Sequence, residues 1–260
     1  MTDRAEAAGG EDKANGVNDF VEIVKTVAYA LLIALFLRVL LFQPFTIPSA
    51  SMEPTLLEGD YIIVSKFSYG YSRHSIPFSP PLFEGRIMER KPQRGDIVVF
   101  KLPRDGRTDY IKRLIGLPGD RIQMRHGRLW INDKEVPAQE LAPVMIDSGY
   151  GFTRNVQRFK ETFPNQRQFV TYDFGPGGDV DDTETFVVPE GHYFFMGDNR
   201  DNSLDSRVAP AQGGVGFVPA ENLVGRAQII LLSWNPGASL FKPWTWVMNA
   251  RPGRFFNVLK

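Results

Sequence analysis

Two patterns of hydrophobic and polar positions divide the chain. From Phe20 to Phe42 almost every residue is apolar, whereas beyond residue 45 short apolar runs are broken by Gly, Pro and Asp. Short runs of branched and aromatic residues between such breaks predict β-strands. Long helical periodicity is absent there, so we predict a mainly β domain of antiparallel sheets. The clearest predicted strands lie at 61–65, 96–101, 110–115, 128–132, 185–188, 192–196 and 227–232.

Other segments carry weaker signals. Asn132-Asp133 predicts the turn of a β-hairpin. Residues 69–95 are rich in Tyr, Ser, Pro and Arg and predict a long loop or ribbon. Residues 140–184 show no regular pattern, and we interpret them as an insertion. The tryptophans of the segment 241–248 suit either a membrane interface or core packing.

The N-terminal apolar stretch admits three interpretations. A spanning helix needs roughly 20 apolar residues, and residues 23–42 provide them if Arg38 extends to the lipid headgroups. A cleaved signal peptide is disfavoured because Arg38 and an apolar run replace the small, polar cleavage region. A soluble core helix is disfavoured because apolar residues surround the whole helix. We therefore predict a transmembrane anchor at 20–43, after a disordered tail at 1–19.

The charges near this anchor bear on its orientation. Arg4 and Lys13 precede the apolar stretch and Lys25 lies at its edge, which is a weak positive-inside signal. We expect a single-pass protein with the N-terminus inside and the larger part of the chain outside. The expected β core comprises two segments, and a variable β subdomain is inserted between them. The core is predicted at 44–120 and 187–260 and the insertion at 121–186.

Composition excludes several classes of function. The 260 residues contain 30 basic and 30 acidic side chains, so no global field favours a nucleic acid. The absence of cysteine excludes cysteine nucleophiles, disulfides and thiolate metal sites. We expect no metal, no cofactor and no nucleic-acid partner.

Ser51 is the outstanding candidate nucleophile, because it lies in Ile-Pro-Ser-Ala-Ser-Met-Glu-Pro-Thr-Leu (47–56), soon after the apolar stretch. A serine hydroxyl needs a base to remove its proton. His74, His126 and His192 are the only histidines, and we interpret all three as surface residues because none lies in a motif. The Gly-x-Ser-x-Gly elbow of α/β-hydrolases is also missing.

Lys112 can be the base if its amine is neutral. The pKa of a lysine is near 10.4 in water, and an apolar pocket can lower it by desolvation. Along the strand 110–115, Lys112 shares a face with Tyr110 and Leu114. Its side chain is therefore expected to point into the fold, although a solvated lysine at a sheet edge is the alternative.

Four blocks in one order closely resemble bacterial type I signal peptidases, a family of Ser–Lys peptidases. The resemblance covers the anchor and most of 43–120 and 187–232. It implies the antiparallel β catalytic fold that signal peptidases share with self-cleaving repressors of the LexA type. The blocks are Ser51-Met52 with Pro54-Thr55, Arg94-Gly95-Asp96, Lys112-Arg113 with Gly116-Leu117-Pro118-Gly119-Asp120, and Gly-Asp-Asn-Arg-Asp-Asn-Ser-Leu-Asp-Ser-Arg (197–207).

The resemblance also implies roles for individual residues. Ser51 would be the nucleophile, Lys112 the general base and Ser203 the group that orients the lysine. Ser49 and the Ser51 backbone N–H would form the oxyanion hole. The remaining positions would shape the site or line shallow pockets that admit only small side chains. Structural residues are Gly197, Asp198, Asp205 and Arg207, and pocket residues are Phe45, Ile47, Pro48, Val99, Tyr110 and Ile111.

The implied activity is that of a membrane-bound serine endopeptidase that removes signal peptides from exported preproteins after small-x-small sites. Its implied partners are those signal peptides, the lipid bilayer and the secretion translocon. The implied location is the bacterial inner membrane, with the N-terminus cytoplasmic and the catalytic domain on the periplasmic side.

Other classes of protein fit the chain less well. A self-cleaving repressor needs a DNA-binding module, whereas residues 1–45 contain an apolar span. The Ser-x-x-Lys of penicillin-binding enzymes occurs only at 239–242, without its companion motifs. A calcium loop starting at Asp198 fails because its sixth and twelfth positions are Ser203 and Ala209. A non-enzymatic membrane adaptor is disfavoured because the predicted catalytic residues are intact.

Overall fold

A computed structural model describes residues 3–76, 79–147, 153–235, 237, 242 and 244–259. The chain divides into two compact units, Met1–Leu41 and Phe42–Lys260. The first unit contains one helix, and the second contains the β-sheets and the predicted catalytic residues.

The first unit consists of the helix α1 (Asp3–Leu40). Its part Phe20–Leu40 has 21 residues with a mean hydropathy of 2.1, which is long and apolar enough to cross a membrane. The helix ends at Leu40, three residues before the predicted limit of the anchor, because the next strand begins at Phe42. It also extends over residues 3–19, which were predicted to be disordered. Ala, Glu and Lys in that segment are good helix formers, and a formed helix adds each further residue at little cost.

The second unit is built around an eight-stranded antiparallel sheet that follows the order β1-β2-β14-β3-β4-β12-β13, with β15 beside β14. The mainly β, antiparallel fold class is therefore confirmed. Each of the seven predicted strands corresponds to an observed strand of the second unit. The strands of this sheet are β1 (Phe42–Thr46), β2 (Asp60–Ser65), β3 (Ile97–Lys101), β4 (Asp109–Gly116), β12 (His192–Met196), β13 (Val218–Pro219), β14 (Leu223–Ser233) and β15 (Asn257–Val258).

The central strands are buried on both faces. Ile97 and Val99 of β3 belong to one buried cluster, whereas Val98 and Phe100 belong to another. Successive side chains of a strand point to opposite faces, so β3 must lie between two apolar layers. Its run of apolar residues, without polar alternation, is the sequence signature of such a strand.

Residues between β4 and β12 form two smaller sheets. The first follows the order β11-β5-β6-β7 and contains the predicted hairpin turn, in which Asn132 and Asp133 both have positive φ. This combination matches a type I′ turn, as the Asn-Asp pair predicts. The strands are β5 (Arg121–Arg125), β6 (Arg128–Ile131), β7 (Lys134–Glu135) and β11 (Phe186–Val187).

The second small sheet follows the order β10-β9-β8 and contains the strands β8 (Ala138–Asp147), β9 (Thr153–Thr162) and β10 (Gln168–Asp173). Residues 140–184 thus form strands, although their sequence shows no regular pattern. The first three residues of β9 are exposed in succession, so this part of the strand does not show the alternation of a half-buried strand. The position of β9 is instead set by its backbone hydrogen bonds to β8 and β10.

Candidate active site

Ser51 lies in a single turn of 3₁₀ helix, Ala50–Met52, shortly after the end of β1. Asn199 holds this turn from the opposite side of the site. Its backbone N–H donates to the Ser51 carbonyl at 3.1 Å, and its Nδ2 donates to the Ala50 carbonyl at 3.2 Å. The neighbouring Met52 is buried in the apolar cluster that also contains Val99. The nucleophile candidate is therefore fixed by polar and apolar contacts.

Lys112 of β4 contacts the Ser51 hydroxyl directly. The Lys112 Nζ lies 2.6 Å from Ser51 Oγ, although the two residues are 61 positions apart. The side chain of Lys112 is only 4 % exposed, so its predicted burial is confirmed. Nζ also lies 5.5 Å from the centroid of the Tyr110 ring, on the same face of the strand. A neutral amine in this position can accept the Ser51 hydroxyl proton.

Burial lowers the pKa of Lys112 from 10.5 to about 8. The nearby carboxylates of Asp205 and Asp198 oppose this shift, while the Arg207 guanidinium adds to it. A pKa of about 8 leaves roughly a tenth of the lysine neutral at pH 7. This fraction is large enough for the amine to serve as a base near neutral pH.

Ser49 and Ser203 both line the cleft beside the dyad. The Ser49 hydroxyl lies 3.3 Å from Ser51 Oγ. Ser203 lines the same cleft as Ser51 and Lys112, and its buried hydroxyl has no hydrogen-bond partner in the described part of the chain. This hydroxyl helps to lower the pKa of Asp205, but the two groups form no hydrogen bond of ordinary geometry. The orientation of Lys112 by Ser203 therefore stays a prediction.

Gly197 follows β12 and packs against both serines. A Cβ atom at this position would lie 2.3 Å from Ser203 Oγ and 2.4 Å from the Ser51 carbonyl oxygen. Both distances are far below van der Waals contact, so only glycine fits. The Gly197 N–H donates to Asp205 Oδ2 at 3.0 Å.

Asp205 and Arg207 form a buried ion pair beside this glycine. The Arg207 guanidinium donates to both carboxylate oxygens of Asp205, at 2.9 Å each. Burial raises the pKa of Asp205. The Arg207 guanidinium and the Gly197 N–H together lower it by more than burial raises it, so the pKa of Asp205 lies below its usual range. The carboxylate stays charged and holds the segment after β12 next to Lys112.

Asp198 is the centre of a second buried network. Arg113 donates to both of its oxygens, at 2.7 and 2.6 Å, and Thr55 Oγ1 donates to Oδ2 at 2.5 Å. The pairing of Arg113 with Asp198 was not predicted, because an ion pair across 85 positions leaves no local pattern. The network joins the loop after Ser51 to the strand of Lys112.

Substitution of Asp198 with asparagine is expected to destabilise the fold by about 3–5 kcal/mol, because the buried Arg113 charge would lose its partner. The same substitution at Asp133, whose pair with Arg121 is exposed, should cost less than about 1 kcal/mol. Urea unfolding of both variants measures the difference. Equal unfolding free energies would show that the Arg113 pair does not stabilise the fold.

A cleft of about 610 Å³ opens next to the dyad. Of the predicted pocket residues, Pro48, Tyr110 and Ile111 line the cleft. Ile47 and Val99 lie in an apolar cluster, against which Phe45 and Ile111 pack. The cleft has further lining residues that had no individual predicted role, namely Thr108, Asp109, Gly178, Asp179, Val180, Asp201, Asn202, Leu204 and Val208.

One edge of β4 faces no strand beside the dyad. β3 pairs with β4 over residues 109–113, whereas β12 on the opposite edge pairs only with residues 113–116. In the described part of the chain, residues 109–112 thus have a free strand edge. An extended peptide could add there as a further strand.

The histidines do not contribute to the cleft lining in the described residues. His74 is buried, so its prediction as a surface residue is wrong. Its backbone N–H is capped by Ser72 and its Nδ1 lies 3.0 Å from Ser79 Oγ, which stabilises a turn in the 69–95 loop. Among the described residues, no group of three His, Cys, Asp or Glu side chains could hold a metal ion.

This chain is similar in sequence to known proteins. The model of the family described as "Signal peptidase, peptidase S26" matches residues 20–234. A signal peptidase I from Rickettsia felis is 44 % identical over 251 residues, covering 89 % of this chain and 90 % of the relative. The corresponding protein from Rickettsia canadensis is 44 % identical over 252 residues, covering 90 % and 92 %.

A crystal structure of a signal peptidase I from Enterococcus faecalis V583 is 29 % identical to this chain, with a TM-score of 0.29. It covers 53 % of this chain, and 97 % of that structure is matched. The family model covers far more than half of the chain, and the relatives align along nearly their whole length. The chain therefore belongs to the signal peptidase family of serine peptidases.

Proposed function

We propose that this chain is a membrane-anchored endopeptidase that removes signal peptides from exported preproteins, with Ser51 as nucleophile and Lys112 as general base. The observation that carries the proposal is the 2.6 Å contact between Ser51 Oγ and the buried Lys112 Nζ. Family membership supports the removal of signal peptides by a serine peptidase. The dyad, the cleavage site and the topology are the proposed parts.

The reaction follows from the positions of these groups. The neutral Lys112 amine takes the Ser51 proton while Oγ attacks the scissile carbonyl, which produces a tetrahedral oxyanion. Ser49 and the Ser51 N–H stabilise that oxyanion. The lysine then gives the proton to the leaving amine, and an acyl-enzyme remains. Water, deprotonated by the same lysine, attacks the ester and releases the signal peptide and Ser51.

The free edge of β4 supports the mode of substrate binding. A peptide added along residues 109–112 would pass Lys112 and expose alternate side chains to the apolar side of the cleft. Pro48, Tyr110 and Ile111 line the cleft. A proline, an aromatic and a branched residue at these positions leave room only for small substrate side chains, which would give a small-x-small preference.

The proposed topology is one crossing of the bacterial inner membrane by α1, with the N-terminus in the cytoplasm. The 21-residue apolar segment Phe20–Leu40 supports it by length and composition. The catalytic unit then works on the periplasmic side, where signal peptides emerge from the translocon. Its partners are the signal peptides, the bilayer and the translocon, without a nucleic acid or a metal cofactor.

Cleavage of a purified preprotein by the full-length enzyme in detergent tests the proposal. A single cut after a small-x-small site, identified by sequencing the new N-terminus, is expected. Ser51→Ala should lose the cut, and replacement of the small residue before the cut by leucine should protect the preprotein. A cut that persists in Ser51→Ala would refute the nucleophile, and indifference to leucine would refute the pocket.

The pH dependence of kcat/KM should reveal the pKa of the general base. Because Lys112 must be neutral, kcat/KM is expected to rise about tenfold per pH unit below about pH 8 and to level off above it. Steady-state cleavage of a peptide substrate between pH 5.5 and 10 measures this limb. A midpoint near 6.5 that disappears on replacement of a histidine would assign the base to that histidine instead.

A further inference from the structure

The C-terminal segment of the catalytic unit contacts the loop that follows the nucleophile. Arg254 ends a short 3₁₀ turn, Pro252–Arg254, just before β15. Its Nε and Nη2 donate to the two oxygens of Asp60, at 3.1 and 2.6 Å. The same Nη2 donates to the carbonyl oxygen of Thr55 at 2.9 Å. One guanidinium thus binds both the start of β2 and the middle of the loop after Ser51.

The ion pair of Arg254 with Asp60 is rigid, because the side chain of Asp60 is fully buried and accepts several other hydrogen bonds. Its Oδ1 accepts from Ser233 Oγ at 2.6 Å, and its Oδ2 accepts from the Leu57 N–H at 2.8 Å. Arg251 adds hydrogen bonds to the carbonyl oxygens of Glu58 and Trp234. The loop 53–59 is therefore held at several backbone positions by side chains from distant parts of the chain.

Thr55 connects this arrangement to the general base. Its carbonyl binds Arg254, whereas its hydroxyl donates to Asp198, which pairs with Arg113. Arg113 is the direct neighbour of Lys112 in β4. Ser51 precedes Thr55 by only four positions. A continuous set of hydrogen bonds thus runs from Arg254, through Thr55 in the loop after Ser51, to the strand that bears Lys112.

Apolar packing follows the same route. Met52 and Leu56, on either side of Thr55, belong to the buried cluster that also contains Leu259. The C-terminal residues therefore support the loop after Ser51 in two ways, through the ion pair of Arg254 with Asp60 and through the apolar packing of Leu259.

We propose that Arg254 is a positioning residue, which sets the separation of Ser51 Oγ and Lys112 Nζ without touching the substrate. The inference rests on the proposed dyad. A planar guanidinium can bind a carboxylate and a carbonyl in fixed geometry, whereas a lysine ammonium acts as a point charge. Because a misplacement of about 1 Å can reduce a rate by about 100-fold, a loop that shifts slightly should still bind substrate but react slowly.

The test compares Arg254→Gln and Arg254→Lys with Arg121→Gln, which removes an exposed arginine of similar size. Arg254→Gln is expected to lower kcat by about 10- to 100-fold with little change in KM. The pH midpoint of kcat/KM should move upward, because a looser site admits water to Lys112 and relieves its burial. Arg254→Lys should recover part of kcat, and Arg121→Gln should change none of these quantities.

Two kinetic results would overturn the proposal. The first is an unchanged kcat and pH midpoint in Arg254→Gln, and the second is a loss that disappears when rates are divided by the folded fraction. Hydrogen exchange of the amides in 53–59 gives a readout that needs no peptidase activity. Faster exchange in Arg254→Gln, but not in Arg121→Gln, is expected, and unchanged protection would refute the positioning role even if the preprotein is not the substrate. Failure of the wild type to cut a preprotein would instead count against the proposed function.

Discussion

Replacement of Lys112 with methionine is expected to lower kcat by at least about 1,000-fold while the fold remains intact. Methionine keeps most of the length of the side chain and suits the buried setting, so the apolar packing around residue 112 survives. The variant lacks only the amine that lies 2.6 Å from Ser51 Oγ. Without it, the hydroxyl has no base among the groups that contact it, and attack on the carbonyl becomes slow.

Two further variants sharpen this result. Lys112→Arg should be as inactive as Lys112→Met, because a guanidinium stays protonated over the whole working range of pH. Lys134→Met removes an exposed lysine from β7 and should leave kcat unchanged. Single-turnover cleavage of a peptide substrate, together with thermal unfolding, separates lost chemistry from lost fold. Substantial turnover by Lys112→Met in a folded enzyme would exclude the lysine as the base.

Sequence patterns could predict those strands in which burial is uniform or alternates regularly along the whole length, because such strands have a regular pattern of hydrophobic residues. β3 is apolar on both faces because it lies between two clusters, and its run of branched and aromatic residues reflects this position. In β9 the burial of the side chains changes along the strand, because its first residues are exposed whereas its end is half-buried. Its hydrophobic pattern is therefore irregular, and the strand was missed.

The candidate site divides in the same way. Ser51 and Lys112 were found through local motifs and through the apolar neighbours of Lys112 in its strand. The partners that hold them in place were missed, because the contacts of Asp198 with Arg113 and of Asp60 with Arg254 span 85 and 194 positions. The cleft wall at 178–180 was missed for a similar reason. It belongs to a glycine-rich loop whose position depends on contacts with Asp181 and Asp201.

Substitution of Gly197 with alanine is expected to reduce kcat by at least about 100-fold, the second large effect on activity. The added methyl group would lie 2.3 Å from Ser203 Oγ and 2.4 Å from the Ser51 carbonyl oxygen. The Ser203 side chain can rotate away, but the second contact is with backbone, so the turn that bears Ser51 must move. That movement changes the position of Ser51 relative to Lys112. Overpacking of this kind also costs stability, by about 1–3 kcal/mol.

Gly253→Ala is the matched control, because its Cβ meets no atom within 4 Å and its backbone does not require glycine. This variant should keep wild-type kcat and stability. The kinetics of both variants are measured at a temperature at which urea titration shows each to be folded, so that the steric effect on chemistry is isolated. Near-normal kcat in a folded Gly197→Ala would mean that the Ser51 turn tolerates displacement. The close approach of this glycine to the nucleophile would then serve packing alone, and the tight geometry between the two serines would not be required for catalysis.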